Sequence, residues 1–231
     1  MTRWARGVVS VVCIAATVIC LAGRKEPGAT MPEQPRVVWN DGRAPDSPLE
    51  ADPWVQALRA WSEGVALSWN TGDFTVSQLT DHATAEDVFR LSRAYAIQGD
   101  DPFTFRGPAA QFEPLEVTEL ADGSGAAVQV CQRYGMPLKT LPRSDGTEDA
   151  RTVDWEVGNV SVQYLERDDD TGRRFVTGNP VRAASSYGEE VRAAVGEWCE
   201  PDSVPVGLFE PEPELPDPPV TRPVHAPLVD G

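Results

Sequence analysis

Proline is distributed unevenly along this chain, and its distribution predicts where a folded domain can lie. Nine of the 21 prolines fall in residues 201–231 and six in residues 24–53, whereas residues 54–200 hold only six. Proline has no amide hydrogen to donate, and it disfavours the helical conformation in the residue before it. We therefore predict one folded domain over residues 52–200, flanked by a disordered proline-rich linker (24–51) and a disordered acidic, proline-rich tail (201–231).

The charge of the chain excludes one class of function. Lys and Arg number 20 against 36 Asp and Glu, which gives a formal net charge of −16. A nucleic-acid-binding domain needs clustered Lys and Arg to neutralise phosphates. We therefore expect no nucleic acid among the partners of this protein.

The first 23 residues have the pattern of a targeting segment. Arg3 and Arg6 precede an uncharged, mainly apolar run over residues 7–23. A run of this length is at the short end of what crosses ~30 Å of hydrocarbon as a helix, and it is slightly long for a signal-peptide core. We expect a signal peptide or a membrane anchor, with the remainder extracytoplasmic, either secreted or membrane-anchored. Cys20 leaves a lipoprotein interpretation open, although Ile19 before it is not the small residue that lipidation favours.

Two cysteines, Cys131 and Cys199, lie in the predicted domain. An even pair in an exported domain is typical of a disulfide, and two buried free thiols are the alternative. No CxxC motif occurs, and His82 and His225 are far from both cysteines in sequence. We therefore expect neither a metal site nor a cofactor.

Helical signals open the predicted domain. Asp52 and Pro53 form a typical helix start, and residues 70–73 form a stop. Between them, large apolar residues recur at helical spacing on one face: Trp54, Leu58, Trp61, Val65 and Trp69. We predict a shorter helix over 74–82, and a third from the capping pattern Thr84–Asp87 to about Gly99.

The pattern then changes to the alternation typical of β-strands. Strands are predicted around Leu115–Val117, over 126–134, 153–157 and 160–164, and from Arg173. Turn signals separate them at 122–125, at Gly158–Asn159 and at 168–172. Asp168–Asp170 is interpreted as part of a solvated turn, because the residue spacing of a calcium loop is absent. A final helix is predicted over Tyr187–Trp198, with a final strand as the alternative.

Three helices followed by an antiparallel sheet resemble the nuclear-transport-factor-two-like family, which has a cone-shaped fold. The resemblance rests on the tryptophan helix 54–69, on the TGDF turn at Thr71–Phe74 and on the strands from Leu115 onward. The VQVCQ segment and the late WC pair are similar to exported actinobacterial domains of this superfamily. The resemblance implies an α+β fold in which N-terminal helices pack on a curved antiparallel sheet.

Cone-fold proteins include both enzymes and binding modules, so the fold alone does not decide function. If the cone holds an open pocket, the large aromatic side chains are its predicted lining: Trp54, Trp61, Trp69, Tyr95 and Trp155. Enzymes that resemble ketosteroid isomerases or polyketide cyclases use a pocket Asp or His as a proton shuttle. Asp81 and His82 are the candidates for that acid/base role, and a surface position near a helix end is the competing interpretation.

We therefore expect an exported, membrane-associated cell-envelope protein with a non-catalytic binding or scaffolding domain. Its expected partners are the membrane, through the N-terminal segment, and a protein or small-molecule ligand of unknown identity. One alternative is a subunit of an envelope-spanning conjugation or secretion machine. Another alternative is a pocket enzyme of the isomerase or cyclase type.

Overall fold

The tryptophan-rich segment forms a 19-residue helix, α1 (Pro53–Thr71), in this computed structural model. The Asp52 carboxylate accepts a hydrogen bond from the Trp54 amide at 2.7 Å, and Pro53 occupies the first turn. Gly72, with a φ of 71°, ends the helix in the left-handed region that glycine adopts without strain. The predicted start and end of this helix are confirmed.

The structure describes residues 35–39, 42, 44–98, 111–134, 157–177, 186–187, 191, 195–211 and 213, all within one compact unit, Gln34–Gly231. Several sequence-based predictions lie outside these residues. They concern the targeting segment with Cys13 and Cys20, the first part of the linker, Trp155 with the strand predicted over 153–156, and most of the tail.

Two further helices follow α1. The first, α2 (Ser77–Thr80), is shorter than the helix predicted over 74–82. The second, α3 (Ala85–Gln98), begins where the capping pattern predicts. The Thr84 hydroxyl accepts a hydrogen bond from the Asp87 amide at 3.1 Å and donates one to the Asp87 carboxylate at 2.7 Å.

Four antiparallel strands form the main sheet in the order β2-β3-β4-β5. Their bounds are β2 (Phe112–Glu119), β3 (Gly125–Tyr134), β4 (Val157–Arg167) and β5 (Arg174–Val176). Both hairpin turns predicted from Asp/Gly clusters are present, with Gly123 at φ 67° and Gly172 at φ 71°. In the second turn the Asp168 carboxylate accepts hydrogen bonds from the amides of Asp170 and Thr171, as an aspartate in a solvated turn does.

The prediction of a hairpin turn at Gly158–Asn159 is wrong, because both residues lie inside β4. They pair with Arg133 and Gln132 of β3. The other side of β4 is also hydrogen-bonded at this point, since the Cys199 amide donates to the Gly158 carbonyl at 3.0 Å. Pairing on both sides keeps the chain extended despite a dipeptide that favours turns.

The predicted helix over Tyr187–Trp198 does not reach its predicted end. Trp198 forms an antiparallel β-bridge with Asn159, and Gly196 has a φ of 87°. The Gly196 amide donates to the Val160 carbonyl at 2.8 Å, so the chain here runs along β4. The alternative of a final strand describes this end better, and residues 188–190 and 192–194 lie outside the described part.

A second, two-stranded sheet corrects the predicted domain limits. It joins β1 (Arg36–Trp39) to β6 (Gly207–Glu210), which lie in segments predicted as disordered linker and tail. Val37, Trp39 and Phe209 pack against the core. The fold therefore extends past residues 52 and 200, since these short apolar strands tolerate prolines beyond their ends.

Apolar side chains bury both faces of the main sheet. On one face Ala126, Val128 and Val130 pack with Trp54 and other side chains of α1. On the other face Ala127 and Tyr164 pack with Tyr187 and Val191, which follow the sheet in sequence. The α+β class is confirmed: the described residues contain three helices, a four-stranded antiparallel sheet and a two-stranded sheet.

Candidate functional site

A cavity of about 330 Å³ lies between β1, α1 and α2, and we call it the α1–β1 cavity. Its lining consists of Pro35, Arg36, Val37, Trp39, Glu63, Leu67, Gln78 and Phe209. A second depression of about 350 Å³, the adjoining groove, shares Pro35, Leu67 and Gln78 with it. The adjoining groove continues past the end of α1 along Thr71, Asp73, Thr75, Val76 and Ser77. Because the two share lining residues, they form neighbouring parts of one recessed surface.

The pairing of β1 with β6 builds the apolar wall of this cavity. Val37 lies opposite Phe209 in the register, and Trp39 lies opposite Gly207. Val37 and Trp39 are two residues apart in a strand and therefore share a face. Gly207 has no side chain and is buried opposite Trp39. Trp39 and Phe209 are half-buried and pack against the core cluster that includes α1.

Glu63 brings a carboxyl group to the wall of the α1–β1 cavity. It is half-buried on α1, and it makes no hydrogen bond within the described part of the chain. Burial raises the pKa of the Glu63 carboxyl above its ordinary value, and the nearby Arg59 guanidinium opposes that change only in part. A carboxylate here is poorly solvated, so a ligand that carries a positive charge would stabilise its ionised form.

The Arg59 guanidinium contacts Glu50 and Phe112, which lie outside the cavity lining. It forms an ion pair with the Glu50 carboxylate, in which both side chains are largely buried. It also donates to the Phe112 carbonyl at 3.2 Å and lies 4.2 Å from the centre of the Phe112 ring. These contacts join the 3-10 turn Pro48–Ala51 to α1 and β2. Arg59 therefore serves the fold beside the cavity and is not part of the cavity lining.

The aromatic side chains predicted to line a pocket lie in the core. Trp54 is 2% exposed and its indole N–H donates to the Glu119 carboxylate at 2.9 Å. Trp69 and Tyr95 pack edge to face at 5.4 Å in a cluster on the other side of α1, and Trp61 contacts both clusters. These four residues line neither described cavity, and Trp155 lies outside the described residues.

His82 forms hydrogen bonds with the main chain of β5 and so contributes to the fold. Its Nδ1 lies 2.9 Å from the Arg174 carbonyl oxygen, and the Val176 amide donates to the His82 carbonyl at 3.0 Å. Since a carbonyl oxygen only accepts, Nδ1 carries the proton and the ring is held against β5. Asp81 is exposed beside it. Neither residue lines the α1–β1 cavity or the adjoining groove, so the structure does not bring the predicted acid/base pair to a described cavity.

The predicted disulfide is confirmed, with the sulfurs of Cys131 and Cys199 2.02 Å apart. It joins β3 to the segment that runs along β4. Cys131 is 1% exposed, and Trp198 beside the bridge is 68% exposed. The disulfide therefore holds the chain after the sheet against the sheet itself.

The described residues also bear on metal binding and on membrane insertion. No group of three or more His, Cys, Asp or Glu side chains there is arranged to hold a metal ion. In that same part of the chain, no helix has the length and apolar character needed to cross a membrane.

The residues that define the α1–β1 cavity were not among the sequence-based predictions. Trp39 and Phe209 lie in proline-rich segments interpreted as linker and tail, and Glu63 is one acid on a helix. The short apolar run Val37–Trp39 was the available signal, but the strand that contains it has only four residues. No protein-family model, curated protein or solved structure matches this chain.

Proposed function

We propose that this chain is an exported, membrane-associated cell-envelope protein. We propose further that its α+β domain has a cone-like fold of the nuclear-transport-factor-two-like kind and binds or scaffolds other molecules without catalysis. The observation that carries the proposal is the Cys131–Cys199 disulfide. Disulfides persist in oxidising compartments and are rare in the cytosol, so this bond supports a location outside the cytoplasm.

The order of elements supports the cone-like fold. Three helices precede four antiparallel strands, and α1 packs across one face of the sheet. The other face is covered by Tyr187 and Val191.

The positions of His82 and Trp54 do not support the isomerase or cyclase alternative in the form that uses the Asp81–His82 pair. A proton-transfer enzyme needs an acid or base within reach of its substrate in a recess. His82 is instead bonded to the main chain of β5, and Trp54 is packed in the core. The recess that the structure describes combines apolar and aromatic side chains with the polar side chains of Arg36, Glu63 and Gln78, which can fix the orientation of a bound molecule.

Reporter fusions test the location. Alkaline phosphatase, which folds only after export, and β-galactosidase, which works only in the cytoplasm, are each joined after Gly231 of the full chain. We expect phosphatase activity alone, and its loss when residues 1–23 are deleted. Cytoplasmic β-galactosidase activity from the full chain, together with free thiols at Cys131 and Cys199 in alkylation experiments, would overturn the proposal.

A further inference from the structure

We propose that the α1–β1 cavity binds an organic cation, namely an ammonium or guanidinium group on an alkyl stem. Glu63 pairs with the charged group, and Trp39 and Phe209 enclose the stem. This inference deepens the proposed binding function and rests on it. The chemistry is that of a lysine or arginine side chain, or of a small free amine.

The size of the cavity suits such a group. Ligand sites for small molecules begin at roughly 300 Å³, and the α1–β1 cavity has about 330 Å³. Four of its lining residues are large and apolar or aromatic, which matches an alkyl stem: Val37, Trp39, Leu67 and Phe209. Aromatic rings also attract a cation placed over their faces.

The charges around the cavity select a cation over an anion. Glu63 is the acidic residue in its lining, and Asp73 lies in the adjoining groove. The one base in the described lining is Arg36, whose guanidinium lies 3.6 Å from the Glu210 carboxylate. Arg59, on the same helix as Glu63, is paired with Glu50. The net charge of −16 also attracts cations from a distance.

The desolvated state of Glu63 gives the binding its driving force. A half-buried carboxylate that makes no hydrogen bond in the described structure loses solvation, and the nearby Arg59 charge compensates for that loss only in part. A bound ammonium or guanidinium would restore a charge-assisted hydrogen bond. An uncharged group of the same length would leave the carboxylate unpaired.

Calorimetric titration of the purified full chain tests this inference. The probes are n-pentylammonium, n-butylguanidinium and uncharged n-pentanol, together with the capped tripeptide acetyl-Ala-Lys-Ala-amide. We expect the cations to bind about tenfold to hundredfold more tightly than pentanol, as a charged hydrogen bond implies. Glu63→Gln should remove that difference. Glu86→Gln, an exposed acid on the first turn of α3, is the matched control and should keep it.

Equal binding of pentanol and n-pentylammonium would overturn the inference, as would a cation preference that survives in Glu63→Gln. Tighter binding of the tripeptide than of the free amines supports the inference and identifies a protein as the source of the cation. Binding of the free amines alone supports it and identifies a small molecule. Thermal melting of each variant confirms that it is folded. The export reporters are independent of this cavity, so the two proposals can fail separately.

Discussion

The Nδ1 of His82 lies 2.9 Å from the main-chain carbonyl oxygen of Arg174, and this bond joins the loop before α3 to the short strand β5. The β-bridge between Ala83 and Val176 lies beside it. The domain histidine that sequence patterns suggested for proton transfer therefore holds the helices against the sheet.

Replacement of that histidine should reduce stability. We expect His82→Ala to lower the free energy of unfolding by about 1 kcal/mol, since one hydrogen bond is lost and the Arg174 carbonyl loses its partner. Urea unfolding followed by fluorescence measures the change. Asp81→Ala is the neighbouring control, and because Asp81 is exposed we expect a change within about 0.5 kcal/mol. Equal stability of wild type and His82→Ala would show that this bond is not important for the fold.

The disulfide should be the strongest single constraint on the segment that follows the sheet. Cys131 and Cys199 are 68 positions apart, and closing a loop of that length stabilises the fold by about 4 kcal/mol in the chain-entropy model. We expect the double variant Cys131→Ala/Cys199→Ala to lose stability on that scale in urea unfolding. Wild type in reductant should behave like the double variant. If reductant leaves the wild-type unfolding midpoint unchanged, the bond contributes no stability.

Gly64 should be intolerant of any side chain. A Cβ atom at this position would lie 2.3 Å from the Leu79 amide nitrogen and 2.6 Å from the Gln78 carbonyl carbon, both main-chain atoms of α2. We expect Gly64→Ala to force α1 and α2 apart at a cost of about 1–3 kcal/mol, against the usual gain from alanine in a helix. Thermal melting measures the loss. Gln56→Ala, at an exposed position of α1, is the control, and a rise in melting temperature for Gly64→Ala would contradict the close packing.

Glu113 should make the stability of the domain depend on pH. Burial raises the pKa of its carboxyl, the Glu50 and Asp46 carboxylates add to that, and Arg59 opposes it. The folded state therefore holds this proton more tightly than the unfolded state. This tighter proton binding stabilises the folded state fully below the ordinary glutamate pKa of about 4.3. The stabilisation is lost as pH rises through the raised pKa of Glu113.

Glu113→Gln tests this directly through urea unfolding at several pH values. We expect the variant to be more stable than wild type at neutral pH, and the gain to vanish below about pH 4.3, where the wild-type carboxyl is protonated in both states. Glu86→Gln, exposed on α3, should give no such pH-dependent gain. A variant less stable than wild type at neutral pH would mean that Glu113 contributes a net favourable charge interaction with Arg59.

Sequence patterns predicted the bounds of α1 and the start of α3 closely. The capping residues Asp52 and Thr84 and the terminal Gly72 act through hydrogen bonds within a few residues, so their effect can be recognised locally. Gly158 and Asn159 show the opposite case. Their local preference for a turn is overridden by pairing with β3 on one side and with the segment near Cys199 on the other.

The candidate site could not be predicted from local sequence patterns, because its residues come from segments that are distant in sequence. Trp39 and Phe209 line the same cavity only because β1 pairs with β6, which is far from it in sequence. Burial in the folded chain raises the pKa of the Glu63 carboxyl, and Glu63 shares its cavity with residues of β1 and β6. Neither property is encoded in the residues next to Glu63 in the sequence.

By itself, the amino-acid sequence determined the helix boundaries at Asp52 and Gly72 and the turns around Gly123 and Gly172, and it favoured a pairing of Cys131 with Cys199. These follow from capping, from left-handed glycine and from the small number of cysteines, all of which act locally or by elimination. Only the tertiary structure decided that β1 and β6 belong to the fold and that Trp54 and Trp69 are buried in the core. Those outcomes depend on which distant apolar surfaces meet and exclude water, and that is a property of the assembled chain.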